Sequence, residues 1–159
     1  MGFKIELGGF QTLIQDRGRV GYGQYGVSGC GAMDEYAHRV GNILVGNDEN
    51  EASLEVLMIG PTIKFDKYTQ IAITGADLGA NLNGKKIDIW RSYEINPGDI
   101  LSFKGAKSGV RAYISIAGGI DVPIVMGSKS TYTRGKIGGF KGRALKKDDY
   151  ISTFFEARD

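Results

Sequence analysis

Short runs of alternating apolar and polar residues fill most of the chain. This alternation has the period of a β-strand with one buried face. It is clear over residues 3–7 and weaker over 10–14, with Gly8-Gly9 between them as a turn. From Ser53 onward such runs recur between turn signals. The predicted strands there cover 54–59, 62–65, 71–74, 80–82, 87–90, 100–103, 110–117 and a closing strand that includes 150–151.

One segment has a helical period instead. The apolar residues that share its predicted buried face are Met33, Tyr36, Ala37, Val40, Ile43 and Leu44. This spacing predicts one main helix over about residues 33 to 46. Gly46-Asn47 is expected to end it, because both residues tolerate left-handed backbone. Asn83-Gly84 is the strongest hairpin signal. One early helix and many short strands predict a mainly β barrel or sandwich.

Composition narrows the classes of function. A chain of 159 residues is the size of one domain. Its 20 basic and 18 acidic residues give a formal net charge of +2, without the basic excess typical of nucleic-acid-binding proteins. The single cysteine excludes an intramolecular disulfide framework, and the first residues do not have the pattern of a secretory signal. The cytoplasm is therefore the predicted location.

A glycine-rich stretch between the second strand and the helix concentrates polar side chains. It contains Gln15, Asp16, Arg17 and Arg19 and leads to Asp34 at the predicted helix start. Glycine lets the backbone approach a ligand closely, and a helix start favours negative charge. The stretch is either a binding loop or a solvated connection in which Asp16 is salt-bridged to the two arginines. The simplest interpretation of Asp34 is a helix cap.

A second glycine-rich loop, residues 127–143, also carries hydroxyl groups and arginines. Loops of this length in compact domains are commonly functional. Neither Gly127-Ser128-Lys129-Ser130 nor the segment 135–142 has the spacing of a Walker phosphate loop. As a nucleotide-binding signal this loop is therefore weak.

The usual catalytic sets are missing from the sequence. A single histidine excludes a histidine-rich metal site. His38 is interpreted as a surface or half-buried structural residue of the helix, and Cys30 as a small packed thiol. A nucleophilic pair of Cys30 and His38 stays an alternative. From the residues alone, the chain is predicted to be a β-rich binding domain with two polar loops and no assignable reaction.

Several motifs follow one another in a characteristic order. They are Gln15-Asp16-x-Gly18-Arg19-x-Gly21, Ser28-Gly29-Cys30-Gly31-Ala32-Met33-Asp34, Asn42-x-Leu44-Val45-Gly46-Asn47, Leu54-Glu55, Ala117-Gly118-Gly119-Ile120, Gly127-Ser128-x-Ser130-Thr131, Arg134 and Gly138-Gly139-x-x-Gly142-Arg143-x-Leu145. Over essentially the whole chain this order resembles the family that includes the 5-oxoprolinase C subunit, allophanate hydrolase subunit 2 and the biotin-dependent carboxyltransferase-related proteins. Cys30, where serine is frequent, and Gly41, where alanine is common, are mild departures.

The resemblance implies a cyclophilin-like β-barrel. Family members are longer and usually contain two such barrels, so residues 1–159 are expected to form the single N-terminal domain of a two-barrel protein. The implied activity is that of a component of an ATP-dependent 5-oxoprolinase, which converts 5-oxoproline to glutamate. One alternative is the carboxyltransferase part of a biotin-dependent urea or amide carboxylase. Another is a non-enzymatic module that binds the inhibitor of a sporulation histidine kinase.

The resemblance also implies partners. These are an inhibitor-like companion of the type of the 5-oxoprolinase B subunit, a lactam-utilisation subunit and a small amide or lactam substrate, without nucleic acid or membrane. No tightly bound cofactor is expected on this chain; ATP, or biotin in the alternative, would act in the complete assembly. The two loops are expected to face each other across a cleft, and catalytic residues are not assigned. The residues expected to contact an anion, an amide or a partner are Arg19, Asp34, Arg134 and Arg143, with Gln15, Asp16, Tyr132 and Glu55 as second choices.

Overall fold

The computed structural model describes residues 1–19 and 31–154. Within these residues the chain forms eleven β-strands and one α-helix. In chain order they are β1 (Gly2–Leu7), β2 (Gln11–Gln15), α1 (Glu35–Leu44), β3 (Ser53–Leu57), β4 (Thr62–Phe65), β5 (Thr69–Asp77), β6 (Ala80–Leu82), β7 (Lys85–Lys86), β8 (Arg91–Ile95), β9 (Ile100–Phe103), β10 (Ser108–Ile116) and β11 (Tyr150–Ser152).

The strands form two antiparallel sheets around a shared core. One sheet has the order β11-β1-β4-β9-β6-β7 and the other β2-β3-β10-β5-β8. A single cluster of buried apolar side chains includes Phe3 and Ile63 from the first sheet and Leu54 and Ile114 from the second. The predicted fold class, a mainly β, cyclophilin-like barrel with one main helix, is confirmed.

Helix α1 packs on the face of the five-stranded sheet that points away from this core. Asp34 caps the helix, because its Oδ1 accepts a hydrogen bond of 3.0 Å from the N–H of Ala37. Gly41 lets the helix approach the sheet, since a Cβ atom there would lie only 2.4 Å from Ser115 Oγ. Gly46, with a φ of +78°, follows the helix as predicted.

The predicted helix bounds and one predicted strand need correction. The helix covers 35–44 and is shorter than the predicted 33 to 46. The predicted strand at 87–90 is wrong, because these residues lie between β7 and β8, and Trp90 has a φ of +63°. The Asn83-Gly84 turn is confirmed, with φ values of +52° and +82° between β6 and β7. Among the described residues, no helix has the length and apolar character to cross a bilayer.

Candidate functional site

Asp16 fastens the end of β2 to the second glycine-rich loop. The residue is 8% exposed. Its carboxylate accepts hydrogen bonds from Ser128 Oγ at 2.5 Å, Ser130 Oγ at 2.8 Å, the Lys129 N–H at 2.9 Å and the Gly18 N–H at 2.8 Å. We call Asp16 and residues 128–130 the Asp16 junction. It joins two segments more than a hundred positions apart in sequence and fixes the entry to the loop that contains Arg19.

Arg19 is a buried cation without a counter-ion in the described part of the chain. The residue is 5% exposed, and its Nε donates a hydrogen bond of 3.0 Å to the carbonyl of Val125. Nη1 and Nη2 are both buried and have no hydrogen-bond acceptor there. Leaving charged donors buried and unpaired is costly, so such groups normally have a partner. Arg19 therefore has two charged donors that the described residues leave without an acceptor, and its contact with an anion stays a prediction.

Gly138 supplies the wall against which the Arg19 guanidinium lies. A Cβ atom at position 138 would be 2.2 Å from Arg19 Nη2 and 2.1 Å from the carbonyl oxygen of Ser130. The φ of Gly138 is +72°, which also disfavours other residues. The structure thus places the two loops predicted to face each other in direct contact at Arg19.

A third group of polar residues lies where α1 begins. Tyr113 stands opposite Glu55 on the neighbouring strand, and its hydroxyl donates a hydrogen bond of 2.6 Å to Glu55 Oε2. The same carboxylate oxygen accepts the N–H of Met33 at 2.9 Å, and Tyr113 Oη accepts the N–H of Asp34 at 2.9 Å. Burial and the Glu55 carboxylate raise the pKa of Tyr113, so the phenol stays protonated and continues to donate.

His38 is buried between α1 and the loop before β3, with 3% of its surface exposed. Its Nε2 donates a hydrogen bond of 2.9 Å to the carbonyl of Glu51. Burial lowers the pKa of His38, and the carbonyls of Glu51 and Gln15 and the charges of Asp16 and Glu55 oppose that effect only in part. The imidazole is therefore neutral near pH 7, and it is more deeply buried than the sequence suggested.

Comparison with known proteins identifies the family. The model of the family described as "Carboxyltransferase domain, subdomain A and B" matches residues 25–158. The chain belongs to this carboxyltransferase family. Among curated relatives, the C subunit of 5-oxoprolinase from Escherichia coli (strain K12) is 41% identical over 158 residues, which cover 98% of this chain and 50% of that protein. Urea amidolyase of Saccharomyces cerevisiae is 46% identical over 149 residues, which cover 93% of this chain and 8% of that protein.

Solved structures of the carboxyltransferase family agree with the fold. The crystal structure of K. lactis urea amidolyase superposes with a TM-score of 0.93 at 40% identity, covering 96% of this chain and 9% of that one. The chain thus spans about half the length of the E. coli relative and a small part of the urea amidolyases. The family resemblance expected from the motifs is confirmed.

The structure does not confirm the salt-bridged brace considered for Asp16. Among the described residues the ion pairs are Lys4–Asp148, Lys129–Glu51 and Arg143–Asp149. Asp16 instead binds hydroxyl and backbone donors, as described above. The cap interpretation of Asp34 is confirmed by its bond to Ala37, while its contact with a ligand stays a prediction.

The remaining predicted site residues differ in their surroundings. Gln15 is buried, and its Oε1 has no hydrogen-bond partner among the described residues. Tyr132 is half-buried and pairs through its backbone with Ile137, while Arg134 is exposed in the same turn. The glycine-rich stretch from Val20 to Cys30 lies outside the described residues, so the alternative pair of Cys30 with His38 stays untested.

Arg143 holds an internal ion pair. Its Nη1 and Nη2 donate to the two carboxylate oxygens of Asp149 at 2.7 and 2.9 Å, and Nη1 also donates to the carbonyl of Ala144 at 3.0 Å. Bidentate geometry makes this pair stronger than most surface ion pairs. The guanidinium that was expected to contact a ligand is thus already occupied, and its role in this structure is to hold the turn before β11.

We expect Arg143→Met to lower the free energy of unfolding by about 1.5 to 3 kcal/mol, because Asp149 loses its charged donor. The Arg143 guanidinium lowers the pKa of Asp149 below its ordinary 3.8. The pair therefore stabilises the fold above pH 3.8 and loses this effect as the pH falls through the lowered pKa. Urea denaturation at pH 7 and at about pH 3 measures both effects. A loss of equal size at both pH values would contradict the ion-pair account.

We expect His38 to titrate below 6.5, its ordinary pKa. Because the unfolded chain takes up a proton at higher pH than the native chain, this residue lowers stability as the pH falls below 6.5. As the chain contains one histidine, its ring resonance can be followed by NMR without further assignment. A midpoint at or above the ordinary value would contradict the buried, neutral imidazole.

Sequence reasoning missed four residues that build the site. Tyr113 lies inside a strand whose pattern indicated only core packing. Its polar role follows from the strand pairing, which places Glu55 opposite as the acceptor for its hydroxyl. In sequence, Ser128, Lys129 and Ser130 belonged to a family motif and to a phosphate-loop pattern of the wrong spacing, and neither assigned them to the site. Their alternating hydroxyl groups after Gly127 were the available signal, but the partner, Asp16, could not be inferred from spacing.

Proposed function

We propose that this domain is a component of an ATP-dependent 5-oxoprolinase, which opens the lactam of 5-oxoproline to give glutamate and acts with companion subunits. The similarity to the C subunit of E. coli 5-oxoprolinase along 98% of the chain supports this assignment. The chain corresponds to half of that relative. In the proposed enzyme, a counterpart of the other half completes the site, which is incomplete in this domain alone. ATP hydrolysis is assigned to one of the companions, consistent with the weak nucleotide signal here.

The buried, unpaired guanidinium of Arg19 is the observation on which this proposal depends. 5-Oxoproline is a small lactam with a permanent carboxylate, and a guanidinium fork matches a carboxylate with two parallel N–H···O bonds. Nη1 and Nη2 of Arg19 have no acceptor among the described residues. In the proposed complex they bind the substrate carboxylate and thereby orient the lactam ring. Charge-assisted bonds of this kind contribute about 1.5 to 3 kcal/mol each.

The second candidate is the carboxyltransferase part of a biotin-dependent urea or amide carboxylase. The 46% identity to urea amidolyase of S. cerevisiae favours it. Urea itself is uncharged, so in that reaction Arg19 would bind the carboxylate of carboxybiotin or of the product. The two proposals therefore use the same cation and differ in whether the substrate alone supplies its counter-ion.

A reconstitution experiment separates the candidates. The chain is combined with the half of the C subunit that it does not cover, an inhibitor-like companion and a lactam-utilisation subunit. Glutamate release is measured with 5-oxoproline and ATP, against the same mixture without the chain. ATP-dependent glutamate above this control supports the proposal. In a parallel mixture that contains a biotin carboxylase, a biotinylated carrier, ATP and urea, bicarbonate fixation that requires the chain would favour the carboxylase if no glutamate is released in the first mixture. Tight binding of the companion with neither activity would overturn both enzymatic assignments in favour of the regulatory module.

A further inference from the structure

A polar cavity lies beside α1, and Arg19 is not among the described residues that line it. Its volume is about 340 Å³, and it opens between the helix, the segment after β2 and the loop before β3. This volume falls within the usual range for small-molecule sites. The side chains around it are Arg17, Ala32, Glu35, His38, Arg39, Glu49 and Asn50. Neither the Asp16 junction nor the Glu55–Tyr113 pair contributes a wall.

Hydrogen bonds fix the walls of this cavity before any ligand binds. His38 Nε2 and Asn42 Nδ2 both bind the carbonyl of Glu51, at 2.9 and 2.8 Å, and Asn42 Nδ2 also reaches the carbonyl of Glu49 at 3.2 Å. These bonds hold the loop before β3 against α1. On the opposite side, the N–H of Ala32 donates to the carbonyl of Asp16 at 3.0 Å. These bonds fix the backbone around the cavity, from which the exposed charged side chains extend.

Among the described residues, the cavity is lined by equal numbers of cationic and anionic side chains. Arg17 and Arg39 supply two cations, and Glu35 and Glu49 supply two anions. None of the four forms an ion pair with another within the parts of the chain that the structure describes. The imidazole of His38 adds a neutral polar group. A wholly anionic or wholly cationic ligand would leave one pair of charges without a counter-ion, whereas a ligand with both charges can match all four.

We infer that this cavity binds a free amino acid in its zwitterionic form, with the carboxylate toward Arg17 and Arg39 and the ammonium toward Glu35 and Glu49. The guanidinium groups suit a carboxylate, and the carboxylates suit an ammonium. Asn50 provides a polar contact for an uncharged side chain such as a carboxamide. The inference does not depend on the proposed function, because the cavity and its charges are separate from Arg19.

L-Glutamine and two truncated analogues test this inference on the full chain. The analogues are 4-carbamoylbutanoate, which lacks the ammonium, and 4-aminobutanamide, which lacks the carboxylate. Binding is measured by calorimetry and by the shift of the His38 ring resonance, which is unique because the chain has one histidine. We expect L-glutamine to bind and to shift this resonance, and each analogue to bind at least tenfold more weakly. Equal binding of either analogue, or no shift with L-glutamine, overturns the inference.

Two surface variants locate the site. Glu35→Gln and Arg39→Gln each remove one charge from an exposed side chain, so the fold is expected to be retained. We expect each to weaken L-glutamine binding at least fivefold, while Lys85→Gln on β7 serves as the matched control and leaves it unchanged. Unchanged affinity in both cavity variants, or an equal loss in the control, overturns the assignment. Arg19→Met, which disables the proposed lactam site, is expected to leave L-glutamine binding unchanged.

Discussion

Arg19→Met is expected to increase the free energy of unfolding of the ligand-free chain by about 1 to 2 kcal/mol. The guanidinium of Arg19 is buried, and its Nη atoms have no acceptor among the described residues. Replacing buried charge with an apolar side chain of similar volume is often stabilising. Methionine retains the packing of the stem and, among contacts with the described residues, loses the bond from Nε to Val125. Residues kept for ligand binding commonly reduce stability in this way.

Arg143→Met provides the matched control, because the same substitution there removes a paired arginine. Urea denaturation of the three proteins at pH 7 gives the comparison. We expect the free energy of unfolding to change in opposite directions, so that Arg19→Met is more stable and Arg143→Met less stable than the parent chain. A loss of stability in Arg19→Met comparable to that of Arg143→Met would show that Arg19 is a structural brace.

Asp16→Ala is expected to lower the free energy of unfolding by about 3 to 5 kcal/mol. The substitution leaves four donors at the Asp16 junction without their acceptor, and two of them are backbone N–H groups that cannot turn away. Removing an acceptor from buried donors costs more than the bond itself contributed. The loop that supports Gly138 should also lose protection from amide hydrogen exchange.

Asp121→Asn serves as the control for Asp16→Ala, since Asp121 is exposed. It is expected to change the free energy of unfolding by less than about 0.5 kcal/mol. If Asp16→Ala cost no more than this control, the Asp16 junction would not be an important source of stability. If it cost stability but left hydrogen exchange of residues 127–142 unchanged, the junction would not organise that loop.

The strands and the helix could be predicted because their signals are local. The alternation over residues 62–65 and 80–82 matches β4 and β6. The turn at Asn83-Gly84 was predictable because both residues readily adopt the positive φ that they have in the structure. Residues 87–90 misled because Ile87 and Ile89 also pack on the core, although from the connection between β7 and β8 rather than from a strand. An apolar residue at a corner of a barrel has the same pattern as one in a strand.

The site depended on contacts that no local pattern encodes. Asp16 and Ser130 are 114 positions apart, and Tyr113 and Glu55 are 58 apart, so their pairing follows only from the strand order. Arg19 and Arg143 looked equivalent in sequence, since each follows a glycine in a polar loop. The guanidinium of Arg143 is bound by Asp149, six positions later in the sequence. Only the structure shows that no described residue accepts a hydrogen bond from Nη1 or Nη2 of Arg19.

Arg19 is proposed to bind the carboxylate of the substrate. The most direct test of this proposal is the Michaelis constant for 5-oxoproline of the reconstituted enzyme carrying Arg19→Met. Loss of about 2 kcal/mol of binding corresponds to a rise of about 30-fold. We expect the Michaelis constant to rise by at least this factor, with a smaller change in the turnover number. An unchanged Michaelis constant in an active, stably folded variant would contradict it.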